Sequence, residues 1–407
     1  MAESTATVLR DRASAEGYVA SICFKHGPPR RYGLELEWTV HHAGDPARPL
    51  DAETLRRALG PHAPPSLLPP QPAPTPPVPL RHGSLVSVEP GGQVEISTAP
   101  HDSVAALLHA TSRDIAQLSA LLRRAGLVRG DQGMDAHRPP RLLLRTPRYA
   151  AMQREFDRIG PHGSRMMCST AGLQVCLDVG PADGFPARWA AVNGLGPVMV
   201  ALFANSAAVA EDGQAWESAR MRSVLNTDPV HMGPFPWGGE PAAAWVRKVL
   251  DTPLLCVRRT DGCWDAPPGV TFADWVSGAL GSPPTTDDLD YHLSTVFPPV
   301  RPRGYLEVRY LDAQPDAGWM TPVALLAALL SSDETVDRVC EAVDDVADLW
   351  LESAKQGLAH PGLAAAAHRV IDLGIQALDS LRLSAAVSAQ VLTALAHRRA
   401  TLVPSRR

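Results

Sequence analysis

Apolar and polar side chains alternate along residues 31–41, the two-residue period of a half-buried strand. Within Gly33-Leu34-Glu35-Leu36-Glu37-Trp38 this period sets Leu34 and Leu36 on one face and Glu35 and Glu37 on the other. A similar pattern spans 84–99, where Leu85 to Glu89 and Gln93 to Ser97 flank Pro90-Gly91-Gly92. Glycines that tolerate positive φ suit a tight turn, so the segment predicts a hairpin. Residues 166–179 alternate as a further strand, and Tyr305 to Leu311 as another that puts Glu307 and Arg309 on one face.

Helical spacing takes over elsewhere. Residues 102–125 predict a helix with Asp102 as N-cap and Gly126 after its end. Residues 148–159 and 187–211 read as helices, as do 322–331, 334–354, 361–381 and 384–398 in the Ala/Leu-rich C-terminal part. Residues 1–30 read as a short helix and connector. The stretch 212–304 is rich in Pro, Gly and Trp, with a short helix at 242–250. The proline-dense segment 61–79 predicts an extended surface loop, since proline has no N–H to donate. Strands and helices do not alternate as βαβ units, which points to an α+β fold with an antiparallel sheet covered by helices. The expected division is a core over 1–320, carrying the 61–79 loop, and a helical part over 321–407 packed on it.

Composition narrows the function. A net charge of −5 gives no basic field for nucleic acid. A mildly acidic chain that binds an anionic nucleotide needs local arginine, lysine or a divalent metal. The six cysteines include no Cys-x-x-Cys pair, so reduced thiols of a cytoplasmic protein are expected rather than zinc ligands or a disulfide framework. The longest apolar run, 189–210, is interrupted by Asn193, Gly194, Gly196, Pro197 and Asn205, which favours a buried helix over a membrane span. The N-terminus shows no signal-peptide pattern.

The candidate chemistry lies in the carboxylates. Glu35, Glu37, Glu89, Glu95 and Glu307 fall on strands or strand ends of one expected sheet, where they repel unless cations neutralise them. Mg²⁺ is the natural counter-ion, being hard, oxygen-ligated and commonly shared with substrate phosphates. No P-loop and no Gly-x-Gly-x-x-Gly occurs. Each feature also has a plainer reading. Glu-x-Glu suits a solvated sheet face, Glu307 with Arg309 a surface pair, and Glu89 a turn. Thr170, Gln174 and Asp178 share a strand face. Gln174 can serve a polar site or a cross-sheet hydrogen bond. Arg220 can bind an anion or sit on a helix surface. His292, Tyr149 and Met152 read as structural.

The strings GLELEW (33–38), SVEPGGQVEIS (87–97), RYAAM (148–152), MMCSTAGLQVCLDV (166–179), ALFANS (201–206) and HLSTVFPPVRPRGYLEVRYLDAQP (292–315) resemble the glutamate–cysteine ligase family, most nearly its plant-like branch and the actinobacterial ergothioneine-pathway members within it. The resemblance implies a curved, glutamine-synthetase-like antiparallel sheet forming a funnel, with ATP and two or three Mg²⁺ ions at its mouth. It implies metal ligands among Glu35, Glu37, Glu89, Glu95 and Glu307, catalytic roles for Arg309 and Gln174, and substrate or phosphate contacts from Arg220 and Thr170. The implied reaction joins the γ-carboxyl of L-glutamate to the amine of L-cysteine through a γ-glutamyl phosphate, for ergothioneine biosynthesis. L-glutamate, L-cysteine and ATP are the implied partners, with no nucleic acid or membrane, in a monomer or homodimer. Cys176 stands where the family usually has Asn, and 224–232 departs from its pattern. A different amine acceptor, or a binding protein descended from the fold, therefore stays open.

Overall fold

The structure, a computed structural model, describes residues 6–27, 30–68, 76–235, 239–260 and 262–402. Its centre is a six-stranded sheet built from β1 (Tyr32–Trp38), β2 (Leu85–Val88), β3 (Val94–Ser97), β4 (Gly172–Leu177), β5 (Val300–Pro302) and β6 (Leu306–Asp312). The strand order is β2-β3-β1-β4-β6-β5, and every neighbouring pair is antiparallel. A hairpin thus forms each edge, and β1 and β4 lie in the middle. The expected α+β class with an antiparallel sheet is what the chain adopts.

The alternation seen in the sequence separates the two faces. Leu34, Leu36, Leu173, Val175, Leu306 and Val308 are buried in the apolar core. The helices Val104–Arg124 and Phe185–Phe203 pack against this side. Phe185–Phe203 is buried throughout its second half, despite an internal Pro197. Its glycines make room for the C-terminal helices: a Cβ on Gly196 would fall 1.9 Å from the Trp350 ring, and one on Gly194 2.8 Å from Val343. One continuous apolar core runs from Leu9 to Leu395, so the C-terminal helices share it with the sheet. Among the described residues no helix is long and apolar enough to cross a membrane.

Several expected boundaries move. Residues 162–169 are helical (His162–Ser169), and the strand begins only at Gly172. Ser103, not Asp102, caps the long helix by accepting from Ala106 N at 3.2 Å, while Asp102 pairs with Arg31 at 3.0 Å. The 187–211 helix ends at Phe203. The 334–354 helix divides into Asp333–Val343 and Trp350–Gln356. Pro-rich 61–79 contains the 3₁₀ turns Gly60–His62 and Pro65–Leu67, and 69–75 lies outside the described residues. Short helices absent from the sequence reading include Ala52–Leu59, Ala219–Leu225, Phe272–Val276 and Thr286–Leu293. The last two begin with capping boxes, Thr271/Asp274 and Thr285/Asp288, a signal present in the sequence.

Candidate active site

The polar face of the sheet floors a cavity of about 350 Å³, within the range of small-molecule sites. Strand register assembles the floor. Glu37 of β1 lies opposite Glu95 of β3, and Glu35 lies between Ser97 and Gln174 of β4. Glu89 joins them from the rim of the β2–β3 hairpin. Its turn depends on glycine twice. A Cβ on Gly91 would sit 2.1 Å from the Cys168 carbonyl oxygen, and Gly92 has φ +93°. Gln93 then ties the turn down, its amide donating to the carbonyls of Thr170 (2.8 Å) and Met167 (3.3 Å).

Arginines face this acidic floor. Arg148, Arg220, Arg301, Arg303 and Arg309 all line the cavity. Arg309 Nη1 donates to Glu307 Oε2 at 2.9 Å and to Gln174 Oε1. Gln174 Nε2 in turn donates to Glu37 Oε1 at 3.0 Å, and Gly172 N donates to Glu37 Oε2 at 2.7 Å. Gln174 therefore makes the cross-sheet hydrogen bond and also lines the site, linking Arg309 to an acid of the floor. Arg220, on the Ala219–Leu225 helix, is 6 % exposed, which excludes a surface charge. Its Nη2 donates to the Arg309 carbonyl at 2.9 Å, Asp312 lies 3.9 Å away, and its buried Nε has no protein partner. Gly172 permits this packing, because a Cβ there would lie 2.4 Å from Arg220 Nη2. Asp312 is itself held by Asn205 N (2.9 Å), Ser206 Oγ (2.7 Å) and Ser218 Oγ (3.0 Å).

Three of the candidate residues are engaged by other parts of the protein. Glu307 does not line the cavity with the other four glutamates. It is 0 % exposed, and its oxygens accept from Arg301 Nε (2.7 Å), Arg309 Nη1 (2.9 Å) and Arg303 Nη1 (3.4 Å). Both oxygens accept from guanidinium groups, so Glu307 is engaged as an anchor of the arginines. Thr170 lines the cavity, but its hydroxyl donates to the Met166 carbonyl at 2.6 Å, closing the preceding helix. Asp178 does not line this cavity; it lines the adjoining one and accepts from Arg31 N at 2.5 Å.

The electrostatics separate the carboxylates. Burial raises the pKa of Glu95, and the neighbouring Glu35, Glu89 and Glu37 raise it further, although Ser87 donates to it at 2.5 Å. Burial and Glu37 push Glu89 up to about 7, against the opposing effect of Arg309. Glu35 is raised by burial and by Glu307, again opposed by Arg309. Burial would also raise Glu307, but Arg301, Arg309 and Arg303 hold it well below the usual carboxylate range. Glu35, Glu89 and Glu95 therefore lack positive charge that Glu307 has. Among the described residues no three His, Cys, Asp or Glu side chains form a ready cation cage. Mg²⁺ is usually held by one or two carboxylates with water and phosphate oxygens, so an under-compensated acidic floor fits it without a closed cage.

The sequence reading missed Arg301 and Arg303. The period that pairs Glu307 with Arg309 also pairs these two, one strand over, and Arg301 sits directly opposite Glu307. Tyr149 and Met152 line the cavity as well as packing. His292 is structural as expected: Nε2 bonds the Val249 carbonyl at 2.8 Å, the ring stacks on Phe272, and burial lowers its pKa to about 4. Cys176, opposite Gly33 and Glu307, lines a neighbouring cavity of about 290 Å³ that shares Glu35 with the first. In the divergent 224–232 stretch Val224 and Met232 reach the main cavity.

Comparison with known proteins identifies the family. Residues 31–395 match the model of glutamate-cysteine ligase family 2 (GCS2). The chain is 38 % identical over 372 residues to the glutamate–cysteine ligase EgtA of Mycobacterium tuberculosis, covering 89 % of this chain and 83 % of that one. It is 36 % identical over 373 residues to EgtA of Mycolicibacterium smegmatis, covering 89 % and 84 %. The chloroplastic glutamate–cysteine ligase of Medicago truncatula is 30 % identical over 278 residues, covering 66 % and 54 %. A solved structure of glutamate–cysteine ligase from Francisella tularensis in complex with AMP shares the fold, with a TM-score of 0.54, 12 % identity, and 93 % and 82 % of the two chains covered. The chain belongs to glutamate-cysteine ligase family 2, a family of enzymes, and the resemblance carried by its sequence strings holds over most of its length.

Proposed function

We propose that the protein joins the γ-carboxyl of L-glutamate to the amine of L-cysteine, with cleavage of ATP to ADP and phosphate. The observation that carries this reading is a single cavity with an acidic floor short of positive charge and an arginine wall. Glu35, Glu37, Glu89 and Glu95 would hold Mg²⁺, which when bound supplies positive charge to the phosphate oxygens. The γ-carboxylate oxygen of glutamate attacks the terminal phosphorus of ATP and ADP leaves. The acyl phosphate that results is attacked by the cysteine amine, and phosphate departs with loss of a proton from nitrogen.

The chain's own residues position and neutralise. Arg309, fixed by Glu307 and Gln174 in the cavity wall, would meet the transferring phosphoryl group. The unpartnered Nε of Arg220 suits a carboxylate of the donor glutamate. Glu307 acts through Arg301 and Arg309. We place the enzyme in the cytoplasm and its product in ergothioneine supply, on its likeness to the mycobacterial EgtA proteins.

Incubation with glutamate, cysteine, ATP and Mg²⁺, read by dipeptide mass and phosphate release, tests the assignment. γ-Glutamylcysteine is expected. Phosphate release that depends on a different amine would instead favour a changed acceptor, the reading that Cys176 and the divergent 224–232 stretch support. ATP binding without turnover would favour a binding descendant.

A further inference from the structure

The cavity has a second, chemically distinct surface. Of nine methionines in the chain, Met152, Met166, Met167, Met221 and Met232 line this one cavity, with Phe297 beside them. Met152, Met167 and Met232 belong to a small apolar cluster separate from the main core, and Met166 and Phe297 pack against it. An apolar, thioether-rich lining, the methionine roof, therefore shares the cavity with the acidic floor. Thioethers are soft, polarisable and adaptable, and offer only a weak acceptor to a hydroxyl.

We infer that this methionine roof receives the side chain of the amine acceptor and selects a thiol over a hydroxyl. The inference rests on the ligase reading above and deepens it. The donor glutamate and the polyphosphate carry charges that require the arginines and the floor. The acceptor's –CH₂SH is the soft, weakly hydrated group at the reacting end of the substrates; the adenine of ATP is the other such group, and the test separates the two. A serine hydroxyl placed there would lose water and gain little, which disfavours it.

The test compares cysteine, 2-aminobutyrate, serine and side-chain-free hydroxylamine as acceptors in the wild type, Met166→Gln and Val224→Thr. Both positions are half-buried at the cavity wall, and melting temperature monitors the fold of each variant. The wild type is expected to favour cysteine over serine in kcat/KM by about tenfold or more, with 2-aminobutyrate nearer cysteine. Met166→Gln should lower kcat/KM for cysteine by about tenfold through KM, leaving KM for ATP and glutamate and the rate of hydroxamate formation unchanged. Val224→Thr, similar in shape, should narrow the cysteine-to-serine ratio from the same wall, so misfolding of one variant leaves the other to decide. Unchanged ratios alongside normal hydroxamate formation would overturn the roof assignment alone. An effect confined to KM for ATP would overturn it in favour of the purine. Absence of both dipeptide and hydroxamate from the wild type would overturn the ligase reading and this inference with it.

Discussion

Glu95 and Glu307 are both buried on strands of one sheet, yet they are opposite in character. Three arginines surround Glu307 and keep it ionised, whereas Glu95 is surrounded by Glu35, Glu37 and Glu89 and is driven towards its neutral form. Burial is nearly the same for the two (7 % and 0 % exposed), so it does not account for the difference. Neighbouring charge does. The compensated acid belongs to the architecture, because it arranges guanidinium groups. The other acids face the cavity with less positive charge around them, which is why we propose them as the floor that holds Mg²⁺.

The contrast is open to attack by mutation. The largest expected effect on stability is at the compensated acid. Glu307→Gln removes the counter-charge of the buried Arg301, and breaking such a pair costs about 3–5 kcal/mol. A clear fall in unfolding free energy, measured by denaturant titration, is expected along with lost turnover. At an uncompensated acid the effect divides differently. Glu89→Gln should reduce ligation by about 10²–10³-fold, the scale of removing one electrostatic contact to the transition state. Its metal-free melting temperature should hold or rise, because a repulsive charge is gone.

pH sharpens the same comparison. Burial and neighbouring acids raise the folded-state pKa of Glu89 from 4.5 to about 7, and also raise Glu35 and Glu95. Between the ordinary and the raised value the folded protein binds more protons than the unfolded chain, so stability falls as pH rises through that window. The metal-free protein is expected to lose on the order of 1–3 kcal/mol between about pH 5 and pH 8. Mg²⁺ with nucleotide should restore more of the melting temperature at pH 8 than at pH 5. The smallest effect is expected from Ser87→Ala, which removes the 2.5 Å donor to Glu95 and should cost about 1 kcal/mol in chemical denaturation.

Much of this floor was legible in the sequence, because a period of two is a local property. Leu34 and Leu36 against Glu35 and Glu37 define the two faces of β1 without knowledge of any partner strand. The turn glycines of Glu89-Pro90-Gly91-Gly92 likewise mark the hairpin. What compensates Glu307 was not legible. Arg301 lies in a three-residue strand, and Pro298, Pro299 and Pro302 around it obscure a strand pattern. Alternation also misled at 166–169, where helical residues precede the strand. The burial of Arg220 depends on Gly172 and Asp312, distant in sequence and adjacent only after folding. The methionine roof comes from several separated helical segments, so no window along the chain contains it.

Calorimetric titration of ATP into the wild type and Glu89→Gln, each with and without Mg²⁺, tests the central claim most directly. The wild type is expected to bind ATP tightly only with Mg²⁺. Glu89→Gln is expected to weaken this Mg²⁺-dependent binding by tenfold or more (about 1.4 kcal/mol) while the fold persists. Equal affinity with and without Mg²⁺, or a variant that binds as the wild type does, would contradict that claim.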